Sequence, residues 1–265
     1  MKLTIIGGGN MGSAIARGLV SGSILKPGDI TVSDIHEAPL KALQATHPDI
    51  RIALSDYSSV ADADIILLAV KPWLICDTIF DIKFQLDYTR QIVVSIAAGI
   101  SIASLNEALL KANSENPLPV LFRLIPNTAI AVRQSMTLIA TQNASPEQQS
   151  LLLKMFDELG SAVLLDESKL TAGTALTSCG IAYLFRYIRA AMLAGVEMGF
   201  YPKEAQNLAV KTMLGAAALL DATQENPEIE IDKVTTPGGI TIKGLNELEA
   251  NGFSDAIIRA MRASR

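Results

Sequence analysis

The sequence predicts an α/β fold, a doubly wound and mainly parallel sheet, followed by an all-α half. Three observations carry this. A short apolar strand runs straight into a glycine-rich turn that opens a helix; continuous apolar runs then alternate with helical segments; and beyond Lys169 the strand signal fades and helical periodicity takes over. Apolar runs of that kind, alternating with helices, belong to parallel strands covered on both faces.

In chain order, Lys2 to Ile6 is the first strand, and Gly7-Gly8-Gly9-Asn10-Met11-Gly12 fits G-x-G-x-x-G ahead of Ser13 to Val20 in helical spacing. Asp29 to Asp34 reads as a second strand ending in an acid and Glu37 to Ala45 as a helix. Ile65 to Val70, Ile92 to Ile96 and Val120 to Ile125 read as further strands. Pro146 to Leu159 reads as a helix with Ser145 as N-cap and Gly160 as its stop. Farther on, Ile181, Leu184, Phe185, Ile188, Met192, Gly195 and Val196 fall on one helical face, and Lys203 to Ala222 forms a second long helix. The expected division is 1–165 and 166–265. Helices this apolar must cover more than one stripe, so self-association through the C-terminal helices, as a homodimer or higher homo-oligomer, is expected.

With 265 residues and a net charge of -5, the chain lacks the basic excess that binding nucleic acid or an anionic membrane requires. Cys76 and Cys179 are too few for a disulfide framework, and no metal-ligand spacing is evident. The chain starts without a signal-like segment, so a cytoplasmic location is expected. The apolar stretch near 170–200 contains Arg186, Arg189 and Glu197 and reads as a buried helix rather than a membrane span.

The chemistry gathers at the carboxyl ends of the strands, where doubly wound sheets bind ligands. Gly7 suits the tight turn, Gly9 lets backbone approach a pyrophosphate, and Gly12 lets the helix pack on the strand, with Asn10 and Met11 at its free N–H end. Asp34, about 20 residues on, stands where an acid receives the ribose hydroxyls. Ala69-Val70-Lys71-Pro72, the Ser95 to Gly99 segment with Ala97 and Gly99, and Pro126-Asn127-Thr128 end successive strands. In the helical half, Pro237-Gly238-Gly239 permits a turn whose N–H groups converge on an anion; a plain loop before a surface helix is the equal alternative.

These motifs together, Gly7 to Gly12, Ala69 to Pro72, Ile125 to Thr128 and Thr236-Pro237-Gly238-Gly239-Ile240-Thr241-Ile242, resemble pyrroline-5-carboxylate reductases over essentially the whole chain. The resemblance implies a Rossmann domain, a helical dimerisation domain, and reduction of 1-pyrroline-5-carboxylate to L-proline by NADPH or NADH. It places Thr241 at the imine nitrogen as the catalytic residue. It gives Thr236, Gly238, Gly239, Ile240 and Thr241 to the substrate, and assigns cofactor roles to the strand-end residues above. It also puts Asp56 near the ribose, where the family often has an asparagine. Two carboxylates, Asp34 and Asp56, repel a 2′-phosphate and lean the expectation towards NADH. Thr177, Ser178, Cys179 and Ile181 depart from the family's Ser-Gly-Ser-Gly-Pro-Ala segment, as Thr236 and Ile240 depart from a Ser and a smaller residue.

His36 and His47 read as solvated surface residues, and Cys179, without a nearby His, as a small hydrophobe. The competing readings are a related imine or beta-hydroxyacid reductase and a non-catalytic dinucleotide sensor. No lysine lies between Ile181 and Phe200 for the hydroxyacid chemistry, and a sensor has no need of Thr241 or the Pro-Gly-Gly turn.

Overall fold

The computed structural model describes residues 1–111 and 118–265. By compactness the chain divides into two units, Met1–Ser178 and Cys179–Arg265, a later division than the 165/166 read from the sequence.

The first unit contains β1 (Leu3–Ile6), α1 (Asn10–Val20), β2 (Ile30–Asp34), α2 (Glu37–Thr46), β3 (Arg51–Leu54), β4 (Ile65–Leu68) and α3 (Ile75–Ile82). It continues with β5 (Ile92–Ser95), α4 (Ile102–Leu109), β6 (Val120–Ile125), β7 (Ser135–Gln142), α5 (Pro146–Asp157), β8 (Gly160–Leu164) and α6 (Glu167–Thr174). Among the described residues eight strands form one sheet, in the order β3-β2-β1-β4-β5-β6-β7-β8. Every neighbouring pair is parallel except β6 with β7.

Side chains alternate across each strand, and that alternation builds two cores. Ile65 and Leu67 join Leu3, Ile15, Leu19, Val32 and Phe156 on one face. Ile66 and Leu68 join Ile75, Ile79, Leu105 and Leu121 on the other. A strand buried on both sides has no polar face, which is why the middle strands read as unbroken apolar runs. Three strands were not expected. β3 is a short edge strand, β7 buries the polar Ser135 and Thr137, and β8 starts at Gly160, the residue expected to stop a helix. Gly160 belongs to the sheet because it pairs with Ser135, at φ 140°, where a Cβ would lie 2.2 Å from the Ser135 carbonyl oxygen. Helix α6 packs with this unit. Leu170 is buried in the second core, and Glu167 Oε1 accepts from Arg123 Nη1 at 2.8 Å and from the Ile102 N–H at 2.7 Å.

The second unit contains α7 (Gly180–Glu197), α8 (Pro202–Thr223), α9 (Pro227–Lys233), α10 (Thr241–Ala250) and α11 (Phe253–Ala263). Helices α7 and α8 approach closely because a Cβ on Gly195 would stand 2.8 Å from that of Ala205. The Tyr183 hydroxyl meets Ser264 and the Ala260 carbonyl, tying α7 to α11. A π-helical turn at Ala175–Cys179 lies between α6 and α7 in the chain. The run Glu167–Glu197 is long and apolar enough to cross a membrane by length and composition, and 11% of its window is buried. The expectation of a buried helix is therefore corrected for the single chain: Leu184 is 53% and Phe185 59% exposed. A unit of this size has too little cover of its own for such helices.

Candidate active site

The first unit carries a crevice of about 600 Å³ at the carboxyl ends of its strands. It straddles β1, where the strand order turns from β2 on one side to β4 on the other, the place at which doubly wound sheets bind ligands.

The glycine turn forms its floor. Gly7 has φ 108° and its amide donates to the Ser33 carbonyl at 2.7 Å, while a Cβ there would lie 2.6 Å from the Ala69 oxygen; no other residue fits. A Cβ on Gly12 would stand 1.9 Å from the Gly7 oxygen, so α1 can descend onto the strand only with glycine there. At Gly9, by contrast, a Cβ would meet nothing within 4 Å. That open space faces the start of α1, whose first helical bond is Ser13 N–H to Gly9 oxygen at 2.9 Å, leaving the amides of Asn10, Met11 and Gly12 free for an anion. The cradle fits a pyrophosphate.

Of the expected cofactor residues, Gly7, Gly9, Asn10, Met11 and Asp34 line the crevice. So do Ala69, Val70, Lys71, Pro72 and Ala97. Gly12 lies beneath it as packing. Asp56, Gly99 and Asn127 do not line it. Asp56 is turned to its own loop, where its carboxylate accepts from the Ser58 amide at 2.8 Å and hydroxyl at 3.0 Å; those bonds hold its pKa below the usual value. Asn127 binds back into the protein: its Oδ1 caps the Ala129 amide and its Nδ2 donates to the Thr177 carbonyl at 3.2 Å, in the π-helical turn.

Sequence reasoning missed several lining residues. His36, read as a solvated outer residue, lines the crevice beside Asp34 and Ile35, though it remains exposed. Tyr57 lines it too, and burial, then the charges of Asp81 and Asp34, push its hydroxyl pKa upward. Asp77, Thr78 and Asp81 enter from α3. Their signal was the polar side of an amphipathic helix following the Ala69–Pro72 turn.

In the second unit, Thr236-Pro237-Gly238-Gly239 forms a tight turn. The Gly239 amide donates to the Thr236 carbonyl at 2.9 Å and Gly238 has φ 72°, the arrangement that proline followed by glycine favours. The Gly239 amide is thus spent inside the turn rather than offered to a ligand. The first bond of α10 is Gly244 N–H to Ile240 oxygen, so the amides of Thr241, Ile242 and Lys243 stay free at its start. Ile240 is 84% exposed, and Thr236 and Thr241 are exposed as well.

A family model for pyrroline-5-carboxylate reductase dimerisation matches residues 167–265, and one for NADP oxidoreductase, coenzyme F420-dependent, matches residues 2–99. A pyrroline-5-carboxylate reductase of Methanosarcina acetivorans is 36% identical, with 100% of this chain and 97% of the relative covered. The chain belongs to the pyrroline-5-carboxylate reductase family. Pyrroline-5-carboxylate reductase 1 of Dictyostelium discoideum is 35% identical over 99% of this chain; it is a longer protein, of which the chain spans 48%. The crystal structure of Plasmodium falciparum pyrroline carboxylate reductase with NADP bound has a TM-score of 0.85 at 26% identity, with 100% of this chain and 95% of that one covered. The expected fold, a Rossmann-type sheet followed by a helical dimerisation region, is the fold the family has.

Proposed function

We propose that the chain reduces 1-pyrroline-5-carboxylate to L-proline with a nicotinamide dinucleotide, the first unit holding the cofactor and the Thr236–Thr241 segment of the second holding the substrate. It is an NAD(P)H-dependent oxidoreductase acting on a cyclic CH–NH group, the activity that gives its family its name. The observation that carries the reading is the glycine cradle, with its open space over Gly9 and its free amides at the start of α1. When bound, the reduced nicotinamide supplies the hydride that the imine carbon takes up.

The protein's share is placement and electrostatics. Gly7, Gly9, Asn10 and Met11 cradle the pyrophosphate, and Asp34 takes the adenosine ribose. Ala69 to Pro72 and Ala97 bound the crevice on its β4 and β5 sides. The free amides that open α10 suit the substrate carboxylate, and the Thr241 hydroxyl at the first residue of that helix suits the imine nitrogen. A protonated imine is already electrophilic, so no strong acid is needed beside it. Gly99 and Asn127 act from outside the lining, Asn127 by steadying the π-helical turn. The helical unit pairs with a second copy through the exposed faces of α7 and α8, and the enzyme works in the cytoplasm. Among the described residues no group of three or more metal-binding side chains gathers.

The test is oxidation of NADH or NADPH on adding 1-pyrroline-5-carboxylate, with no turnover of hydroxyacids by the oxidised cofactors. Turnover of hydroxyacids instead would overturn the substrate assignment.

A further inference from the structure

We propose that Asp34 makes this chain select NADH over NADPH, and that it does so because its carboxylate is latched in place. This rests on the crevice being a nicotinamide-dinucleotide site. Asp34 is the last residue of β2. Its Oδ2 accepts from the Gly8 amide at 2.6 Å and its Oδ1 from the His36 amide at 2.8 Å. Each oxygen therefore holds a different loop, one of them the glycine turn itself, and each keeps further acceptor capacity for a ribose hydroxyl.

To admit a 2′-phosphate, the carboxylate at this position must turn aside. Here that motion breaks the bond to Gly8 and loosens the turn that receives the pyrophosphate. A carboxylate that stays meets a group carrying a charge of about -1.5 to -2, and contact of like charges there costs about tenfold or more in affinity. The surroundings reinforce it. Tyr57, which lines the crevice with Asp34, feels the charges of both Asp81 and Asp34. Ile35 and His36 occupy the places where an arginine would meet a 2′-phosphate. Lys41 on α2 is engaged by Glu37 at 2.9 Å. Lys71 lines the crevice from the β4 side of β1, away from β2. Asp56, expected to share the task, is outside the lining, which leaves Asp34 as the discriminating group. A relative was solved with NADP bound, so the choice falls to local residues rather than to the fold.

Trp73 is the single tryptophan of the chain and sits between the lining residues Pro72 and Leu74, so its fluorescence reports cofactor binding without turnover. Titrations with NADH and NADPH, beside kcat/KM for each with 1-pyrroline-5-carboxylate, form the experiment. The wild type is expected to bind NADH at least tenfold more tightly. Asp34→Asn, which removes the charge and keeps one acceptor, is expected to shrink that ratio about tenfold. Asp34→Ser combined with His36→Arg is expected to invert it. A wild-type preference for NADPH, or an unchanged ratio in Asp34→Asn, overturns the proposal. If the variants do not fold, competition by adenosine 5′-monophosphate and adenosine 2′-monophosphate on the wild type decides it: equal inhibition, or stronger inhibition by the 2′-phosphate, overturns it as well. A protein that ranks the cofactors as expected but turns over no 1-pyrroline-5-carboxylate leaves this inference standing and removes the function proposed above.

Discussion

The two units solve the same problem in opposite ways. In the first, helices close both faces of a sheet and the large apolar side chains sink out of solvent within one chain: Phe122, Phe156, Ile5 and Ile15 are fully buried. In the second, only Gly180, Gly195 and Ala205 are buried on α7 and α8, while Leu184, Phe185, Leu193, Leu208 and Leu214 stand exposed. The difference teaches that stability in this molecule has two sources. One is intramolecular and independent of concentration; the other leaves apolar helix faces for a further copy to cover, in keeping with the dimerisation model that matches it.

The sharpest break in the comparison is at the glycine turn, where structure and ligand binding coincide. Gly12→Val drives a branched side chain into the Gly7 carbonyl. The expected outcome is loss of cofactor binding by about a hundredfold or more, together with a lower Tm; a variant that binds NADH normally would contradict the packing described here. Next is the core. Phe156→Ala is expected to cost about 3 to 5 kcal/mol in denaturant unfolding, with no dependence on protein concentration. Its counterpart, Leu184→Asp, should leave the isolated fold of the first unit intact and shift the oligomer towards monomer in sedimentation. If Leu184→Asp stays fully assembled, that face of α7 is not an interface.

How much of this was legible follows the same division. β1, β2, β4, β5 and β6 could be read because burial on both faces leaves an uninterrupted apolar string, and the turn after β1 because glycine is required at Gly7 and Gly12 for steric reasons that any sequence must obey. β7 could not, since polar residues sit at its buried positions, satisfied by the strand itself and the turn before it: Ser135 Oγ accepts from the Asn127 amide at 3.1 Å and lies 3.1 Å from Thr137 Oγ1. Tyr57 enters from a segment that carries no motif; only the sheet order brings it into the same crevice as Asp34. The exposure of α7 was hidden for the converse reason, because a helix buried by its own chain and one buried by another copy have the same periodicity.

A smaller effect is expected at Thr241, the first residue of α10. Thr241→Ala is expected to lower kcat about tenfold, the worth of one polar contact of about 1.4 kcal/mol, with the KM for cofactor nearly unchanged because the cofactor belongs to the first unit. Unchanged kcat would remove Thr241 from the mechanism, and a raised cofactor KM would mean that the two units do not divide the labour as proposed.

The finest comparison is between two helix starts, one in each unit. At α5 the Ser145 hydroxyl oxygen accepts from the Gln148 amide at 3.3 Å, and Gln148 Oε1 accepts from the Ser145 amide at 2.9 Å. The Ser145 hydroxyl also donates to Glu147 at 2.7 Å, the main cause of that carboxyl's lowered pKa. A carboxyl depressed in the folded state adds stability that is complete above its ordinary pKa and disappears as pH falls through the depressed value. Ser145→Ala therefore removes about 1 kcal/mol at neutral pH, less in acid, and its cost should be the same at every protein concentration. At α8 the Tyr201 amide donates to Glu204 Oε2 at 3.1 Å. Glu204→Ala should cost a similar amount, but in a unit that a second copy completes, its Tm shift should change with protein concentration. If both variants respond to concentration alike, the second unit is as self-sufficient as the first.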